Sequence, residues 1–204
     1  MNTNNLLFLQ KDAEVVQQEL RDELSFHVKK GETISLIALV FAGRVDLNVY
    51  LDEEDSSCDI KVLYLVNQEE KVDINVTCKH IKGNSQSSQI IKGIATDGGK
   101  VNFHGKIYIA PDAQKSDGYQ NHRALVLSNK AEIQSIPELE IYADDVKCAH
   151  GSATGPLEKE ALFYLMSRGI PEKKSKRLLL HSFVNDIIPS EYQTITDDWI
   201  NQNV

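Results

Sequence analysis

Apolar and polar residues alternate with a period of two through most of the chain from about residue 25 to residue 148. The clearest segment is residues 72–80, in which polar residues separate Val72, Ile74, Val76, Cys78 and His80. Because successive side chains of a strand point to opposite faces, this pattern predicts many short strands that each bury one face. Polar turns rich in glycine, asparagine and aspartate separate them at fairly even intervals. The spacing indicates a sandwich, a barrel or a solenoid of stacked coils, and the period alone does not choose among them.

The start of the chain fits two structures. Val16, Leu20 and Leu24 are spaced as on a helix, but the same segment also fits an edge strand.

The period becomes helical after Gly151. Pro156 is suited to the first turn of a helix, and Leu157, Ala161, Tyr164 and Leu165 would share one face of it. Arg168-Gly169 predicts its end, and Pro171 opens a second helix that stops before Pro189. We therefore expect a helical hairpin with a short link, followed by a polar tail with room for another short helix around Trp199.

Composition and charge narrow the class of protein. The formal net charge of −8 opposes nucleic acid or an anionic membrane as the main partner. Three widely spaced cysteines, Cys58, Cys78 and Cys148, do not make a disulfide framework. The first ten residues lack the basic region of a signal peptide, and no apolar run has the length of a membrane span. These features predict a cytoplasmic protein.

One short motif carries metal-binding chemistry. In Cys148-Ala149-His150 the cysteine and the histidine would project from the same face of a strand, roughly 7 Å apart along it. A thiolate and an imidazole suit iron, zinc or copper(I), but a closed tetrahedral site needs four ligands. From the residues alone, the pair either contributes two ligands to a metal site or is a buried thiol beside a histidine at a strand end.

Two alternatives rest on other residues. Cys78-Lys79-His80 repeats the motif, and four ligands stacked in a solenoid could form an autonomous zinc site, although Cys78 and His80 continue a core-facing row. Signatures of common enzyme classes are absent from the sequence. Glu138, Glu140 and the pair Asp144-Asp145 offer carboxylates for a β-helix hydrolase or lyase, but the glutamates alternate with apolar residues as on a solvated strand.

A basic cluster begins the second predicted helix, where the helix dipole disfavours cations. Its members are Lys173, Lys174, Lys176 and Arg177. The cluster is either a solvated face that Glu172 partly compensates or a docking surface for an acidic partner.

Eight short stretches in the second half of the chain carry a family resemblance: FHGKI (103–107), DAQKSDGYQ (112–120), LVLS (125–128), AEI (131–133), PELEIYADD (137–145), CAHG (148–151), LFYL (162–165) and SRGI (167–170). They resemble the SufB/SufD family of the SUF iron–sulfur cluster assembly system. The similarity is strong over about residues 99–188, which include all eight stretches, and extends only in pattern over residues 28–92. The last two match SufD more closely than SufB, and the chain is short for a SufD.

The resemblance implies a right-handed parallel β-helix with a small C-terminal α-helical hairpin. Three regions follow from it: an N-terminal segment (1–24), a β-helix core (25–152) and a C-terminal helical region (153–204). It also implies a SufD-like scaffold subunit, not an enzyme, that pairs with a SufB-like paralogue and docks the SufC ATPase.

The resemblance assigns roles to particular residues. Cys148 and His150 would lie at the interface with the paralogue, where His150 and a cysteine of the partner take part in assembling a transient iron–sulfur cluster. The C-terminal helices would dock the ATPase, with candidate contacts at Leu162, Phe163, Tyr164, Arg168, Lys173, Lys174, Lys176 and Arg177. The resemblance also allows a flavin in the assembled complex and a homodimer when the chain is alone.

Overall fold

The computed structural model describes residues 7–11, 14–18, 23–68 and 70–204, with side chains from residue 23 onward. Twelve strands precede three α-helices in this part of the chain. The strands are β1 (Leu7–Lys11), β2 (Glu14–Gln18), β3 (Leu24–Val28), β4 (Thr33–Val40), β5 (Gly43–Leu51), β6 (Ser57–Val66), β7 (Lys71–His80), β8 (Gln86–Ala95), β9 (Lys100–Ile109), β10 (Asp117–Val126), β11 (Glu132–Ile141) and β12 (Lys147–Gly155). The helices are α1 (Lys159–Ser167), α2 (Glu172–Val184) and α3 (Gln193–Asn203).

The strands form two sheets that face each other. From β3 onward, consecutive strands alternate between the sheets, and each strand pairs in parallel with the next-but-one strand of the chain. The larger sheet has the order β12-β10-β8-β6-β4-β1-β2, and the smaller one has the order β11-β9-β7-β5-β3. This arrangement is a β-solenoid of about four turns, which confirms the predicted fold class.

At the start of the chain, the structure selects the edge-strand alternative. β1 pairs antiparallel with β4 and with β2, so both strands extend the larger sheet at one end. Leu20, which belonged to the helical reading, lies outside the described residues.

The predicted alternation buries one row of each strand between the two sheets. Val72, Ile74 and Val76 of β7 are fully buried, and the polar residues between them face outward. Tyr64 fits into this interior because Gly93 on the next strand has no side chain: a Cβ atom there would stand 1.9 Å from the tyrosine ring. Close packing of such rows supplies most of the hydrophobic core.

The helices pack on the outer face of the larger sheet. A second hydrophobic core lies between the helices and this face of the sheet. It contains Leu180 and Val184 of α2, Trp199 and Ile200 of α3, and sheet residues such as Leu63. The predicted second helix is confirmed, with Pro171 directly before it, and a third helix forms around Trp199. None of the described helices is long and apolar enough to cross a membrane.

The first helix differs from its predicted apolar face. Tyr164 is 57% exposed, whereas Leu157, Ala161 and Leu165 are partly buried. No residue of α1 is buried, because α1 contacts mainly α2 and lies away from the sheet. Hydrophobic periodicity alone therefore gave Tyr164 the wrong environment.

Candidate functional site at the open end of the solenoid

The Cys148-Ala149-His150 motif lies on β12, the last strand of the larger sheet. In the parallel register, Cys148 pairs with Gly118, His150 with Gln120 and Ser152 with His122. The three β10 residues are buried between the sheets, so their partners on β12 continue the inward-facing rows. Among the described residues no further coil follows β11 and β12, which leaves His150 exposed and Cys148 partly buried. We call this surface the open end.

Cys148 lies against a gap in the β10 row. A Cβ atom on Gly118 would stand 3.4 Å from the Cys148 sulfur and 3.0 Å from the side chain of Ile107. Burial raises the pKa of the Cys148 thiol above its ordinary value. The thiol is therefore the resting form at neutral pH, and binding a metal would require it to release its proton.

A chain of hydrogen bonds leads from the interior to the open end. Tyr64 Oη lies 2.9 Å from His122 Nε2, and His122 Nδ1 lies 3.2 Å from the hydroxyl of Ser152. The Ser152 hydroxyl in turn lies 2.8 Å from that of Ser135 on β11. Burial lowers the pKa of His122 to about 4, so its ring is neutral at physiological pH. Because the buried tyrosine hydroxyl must donate its proton, Nε2 accepts it and Nδ1–H points toward Ser152.

Sequence reasoning did not single out His122, Gln120 or Tyr64. The signal was present, because Gly118, Gln120 and His122 occupy alternate positions of one strand. None of the three has an apolar side chain, so hydrophobic alternation does not mark this inward-facing row.

The second Cys-x-His motif lies deep in the core, as its alternation predicted. Cys78 and His80 are fully buried on β7, and the Cys78 sulfur lies 3.5 Å from that of Cys58. His80 makes 2.8 Å hydrogen bonds through both ring nitrogens, to Ser85 and Ser87. The hydrogen bond from Cys58 lowers the pKa of Cys78, and the same bond, together with burial, raises the pKa of Cys58.

The two motifs do not combine into one metal site. Cys78 belongs to the second motif, and its sulfur lies 3.5 Å from that of Cys58. Cys58 and Cys148 are at in-register positions of the larger sheet but three strands apart, which is roughly 14 Å at the usual strand spacing. Within the part of the chain that the structure describes, no three histidine, cysteine, aspartate or glutamate residues are grouped so that they could hold a metal ion. The geometry thus gives no support to an autonomous zinc site.

The carboxylates considered for acid–base chemistry are engaged on the outer face of the smaller sheet. Glu138 lies 2.9 Å from both Lys106 Nζ and His104 Nε2, and Glu140 also pairs with Lys106. Hydrogen bonds from Lys106 lower the pKa of Glu138 and of Glu140, and the two carboxylates raise the pKa of Lys106 to about 12. Both glutamates stay ionised, which does not suit a general acid. Asp144 and Asp145 are exposed in the turn before β12.

The helices present an exposed apolar surface. Phe163 is 72% exposed and Tyr164 57%, and Met166 of the same helix and Leu178 of α2 are also exposed. We call these four residues the helical patch. Of the other predicted contacts, Leu162 is half-buried, and the Arg168 guanidinium lies 5.3 Å from the centre of the Tyr164 ring. These residues lie on two helices that contact each other, and exposed apolar side chains on such a surface favour a protein-binding role.

The basic cluster divides into two pairs. Lys176 makes a 2.6 Å ion pair with Glu172 one turn earlier, and Arg177 donates to the backbone carbonyl of Asn201 on α3. Lys173 and Lys174 are exposed. The structure therefore leaves the first two lysines as candidates for contact with an acidic partner, whereas the other two side chains have partners within the chain.

Comparison with known proteins defines the class. Residues 22–183 match the family model described as the SufBD core domain of SUF system FeS cluster assembly. The match covers both sheets from β3 onward, the open end and nearly all of α2. The chain belongs to this SufBD family.

Particular relatives agree with that assignment. The chain is 34% identical over 161 residues to the iron–sulfur cluster assembly protein SufD of Escherichia coli, which covers 79% of this chain and 37% of that protein. It is 32% identical over 145 residues to a SufBD family iron–sulfur cluster assembly protein of Synechocystis, covering 71% of this chain and 32% of the relative. It is 30% identical over 116 residues to SufB of Bacillus subtilis, covering 55% and 25%. The chain thus spans between a quarter and two fifths of the length of these relatives.

Proposed function

We propose that the chain is a SufD-like scaffold subunit that pairs with a SufB-like paralogue and docks the SufC ATPase. In this role it is not itself an enzyme, and it helps to build or transfer a nascent iron–sulfur cluster in the cytoplasm. The observation that carries the proposal is the placement of Cys148 and His150 on the uncovered last strand of the solenoid. The family assignment supports a role in iron–sulfur cluster assembly. The position of Cys148 and His150 supports these two residues as the ones that take part.

The chemistry of the open end suits a shared cargo site. Cys148 and His150 supply a sulfur and a nitrogen ligand on one row, and a cluster iron with tetrahedral coordination needs more than these two. The missing ligands would come from the partner subunit. An incomplete ligand set also favours release, because the cluster loses part of its coordination when the subunits separate.

The edges at the open end favour a protein partner. β11 and β12 are the outermost strands of the described sheets at this end, so each presents backbone groups that no other described strand pairs. Ile136, Ile141 and Tyr142 are exposed on or next to β11. A paralogue with a similar solenoid could extend the sheets and cover these residues, and a second copy of this chain could do so when the paralogue is absent.

The helical patch is the proposed ATPase site. Phe163 and Tyr164 would act as buried anchors, since large aromatic residues dominate binding energies at protein interfaces. The same helices and the end of β12 also enclose a groove of about 430 Å³, which is lined in part by Leu157, Ala161 and Phe183. The proposal does not include a flavin, because nothing in the described coils points to one.

Anaerobic reconstitution with the SufB and SufC counterparts tests the proposal. We expect His150→Ala to lower the yield of assembled and transferred cluster, and Cys148→Ser to lower it as well. His27→Ala is the matched control, because His27 is another exposed histidine but lies on β3, at the opposite end of the solenoid. Cluster yield that is unchanged in His150→Ala would remove this residue from the mechanism.

A further inference from the structure

Two glutamines are stacked inside the solenoid directly behind the open end. Gln89 of β8 and Gln120 of β10 are fully buried at in-register positions of adjacent strands. The next position of the same row, on β12, is His150. Neighbouring strands are about 4.8 Å apart, so side chains on one row lie within reach of each other.

The hydrogen bonds fix which way each amide faces. Gln89 Nε2 donates to the backbone carbonyl of Lys106 at 3.3 Å, and a carbonyl can only accept. The Oε1 atom of Gln89 is therefore left to accept the bond from Gln120 Nε2, at 2.8 Å. This leaves the Oε1 atom of Gln120 as the free end of the ladder.

That last oxygen is buried, and among the described residues it has no hydrogen-bond partner. Gly105 on β9 makes the room for the amide, since a Cβ atom there would stand 2.2 Å from Gln120 Nε2. Buried carbonyl oxygens are nearly always hydrogen-bonded in folded proteins. A donor is therefore expected at this point, and the neighbouring residue that can supply a ring N–H on the same row is His150.

We propose that Gln120 is the positioning residue of His150. Its Oε1 atom accepts a hydrogen bond from one ring nitrogen of the neutral imidazole, which selects one tautomer. The other nitrogen then carries the lone pair and faces the open end, where it can bind a cluster iron. Hydrogen bonds to the second nitrogen commonly fix metal-ligating histidines in this way. The functional part of this inference rests on the proposed role of His150 in cluster assembly. The proposed hydrogen bond between His150 and Gln120 does not depend on that role.

The contact can be tested on the isolated chain by nitrogen-15 NMR of labelled histidines at pH 8, where imidazoles are neutral. We expect one tautomer of His150 to dominate in the wild type. Gln120→Met, which keeps the length of the side chain but removes the oxygen, should move the tautomer ratio to that of a free imidazole. Gln120→Glu should keep the wild-type ratio, because the variant retains an acceptor oxygen whether or not the carboxyl is protonated.

Two further variants separate positioning from general disturbance. Gln89→Met removes the acceptor that orients the Gln120 amide, so the tautomer bias of His150 should weaken although Gln120 is intact. Asn121→Ala changes an outward neighbour on the same strand and should leave the ratio unchanged. A free-imidazole ratio in the wild type, or equal ratios in the wild type and Gln120→Met, would overturn the proposal. The wild-type measurement decides even where a variant fails to fold.

Reconstitution then connects the contact to the function. With the partner subunits, Gln120→Met should lower cluster yield and Gln120→Glu should restore it. If His150→Ala leaves the yield unchanged, the proposed function of His150 fails, and the tautomer measurement still decides whether Gln120 holds the ring.

Discussion

The chain contains the same local motif twice in opposite surroundings. Cys78-Lys79-His80 and Cys148-Ala149-His150 both lie on strands, and in both the cysteine and the histidine face inward. The first pair lies on β7, which has β5 and β9 as neighbours on its two sides, whereas the second lies on β12, the last strand of its sheet. Position along the solenoid therefore decides whether a Cys-x-His pair is core or candidate ligand.

The same substitution should have very different effects at the two histidines. His80→Ala leaves a cavity and removes two buried hydrogen bonds, so it should lower the free energy of unfolding by about 4 kcal/mol. His150→Ala changes an exposed side chain and removes only the hydrogen bond proposed to Gln120, so it should lower the free energy of unfolding by no more than about 1 kcal/mol. Urea unfolding followed by circular dichroism measures both. Similar losses at the two sites would show that His150 is also a core residue.

His122 is a third histidine that faces the interior, and it tests how well one additional strand shields such a side chain from solvent. His122 lies on β10, one strand from the open end, and burial lowers its pKa to about 4. An unfolded histidine has a pKa near 6.5, so below that pH the unfolded state binds a proton that the folded state does not. Stability should therefore fall between about pH 6.5 and pH 4, by up to roughly 3 kcal/mol from this group.

The matched variant for this prediction is His122→Phe, which keeps a ring against Phe103 and cannot titrate. Other groups also contribute to the pH dependence of stability, so we compare the free energy of unfolding of the wild type minus that of the variant. This difference should decrease as the pH falls from 6.5 to 4, because only the wild type contains His122. A constant difference over this range would mean that His122 is already accessible to protons in the folded state.

The fold was partly predictable from the sequence because one buried face per strand leaves a visible period of two. The choice of a solenoid was not available from that period. Residues Cys58, Ser87, Gly118 and Cys148 are in-register neighbours, yet they are 29, 31 and 30 residues apart because the turns differ in length. This variation hides the repeat, and the family resemblance supplied what spacing did not.

The sequence pointed to the two candidate ligands of the site but not to the residues that lie behind them. Cys148 and His150 stand out as residue types, whereas Gln120 acquires a role only when the register places it behind His150. The roles within the basic cluster were also not predictable, because its four cations have similar positions in the sequence. Only the packing of α2 against α3 shows that Arg177 has a partner within the chain.

The three thiols extend the comparison to reactivity. Cys58 and Cys78 are buried, and Cys148 is partly exposed. We expect a small thiol reagent to modify one cysteine of the folded protein, and all three only after unfolding. Because burial raises the pKa of Cys148, its rate should still be rising at pH values where an ordinary thiol is already mostly ionised. Cys148→Ser should abolish the fast reaction, and a remaining fast thiol would contradict the burial of the other pair.

The smallest expected effect concerns identical side chains within the basic cluster. Lys173 and Lys174 are exposed, whereas Lys176 pairs with Glu172. If the helical patch docks the ATPase, charges at its rim act mainly on association. Lys173→Glu with Lys174→Glu should therefore slow association several-fold at low salt and reduce its salt dependence. Thermal stability should hold or rise slightly, since glutamates suit the start of a helix.

Two comparisons make this prediction specific to the position of the charges. Lys29→Glu with Lys130→Glu gives the same change in net charge at exposed positions outside the helices and should leave association nearly unchanged. Lys176→Glu should instead lower stability by a few tenths of a kcal/mol, because it places a second carboxylate one turn from Glu172. Rapid-mixing kinetics at several salt concentrations separate these cases. Equal rates for the wild type and the Lys173/Lys174 variant at low salt would reduce the cluster to a solvated face, and Phe163 and Tyr164 would then carry the docking proposal alone.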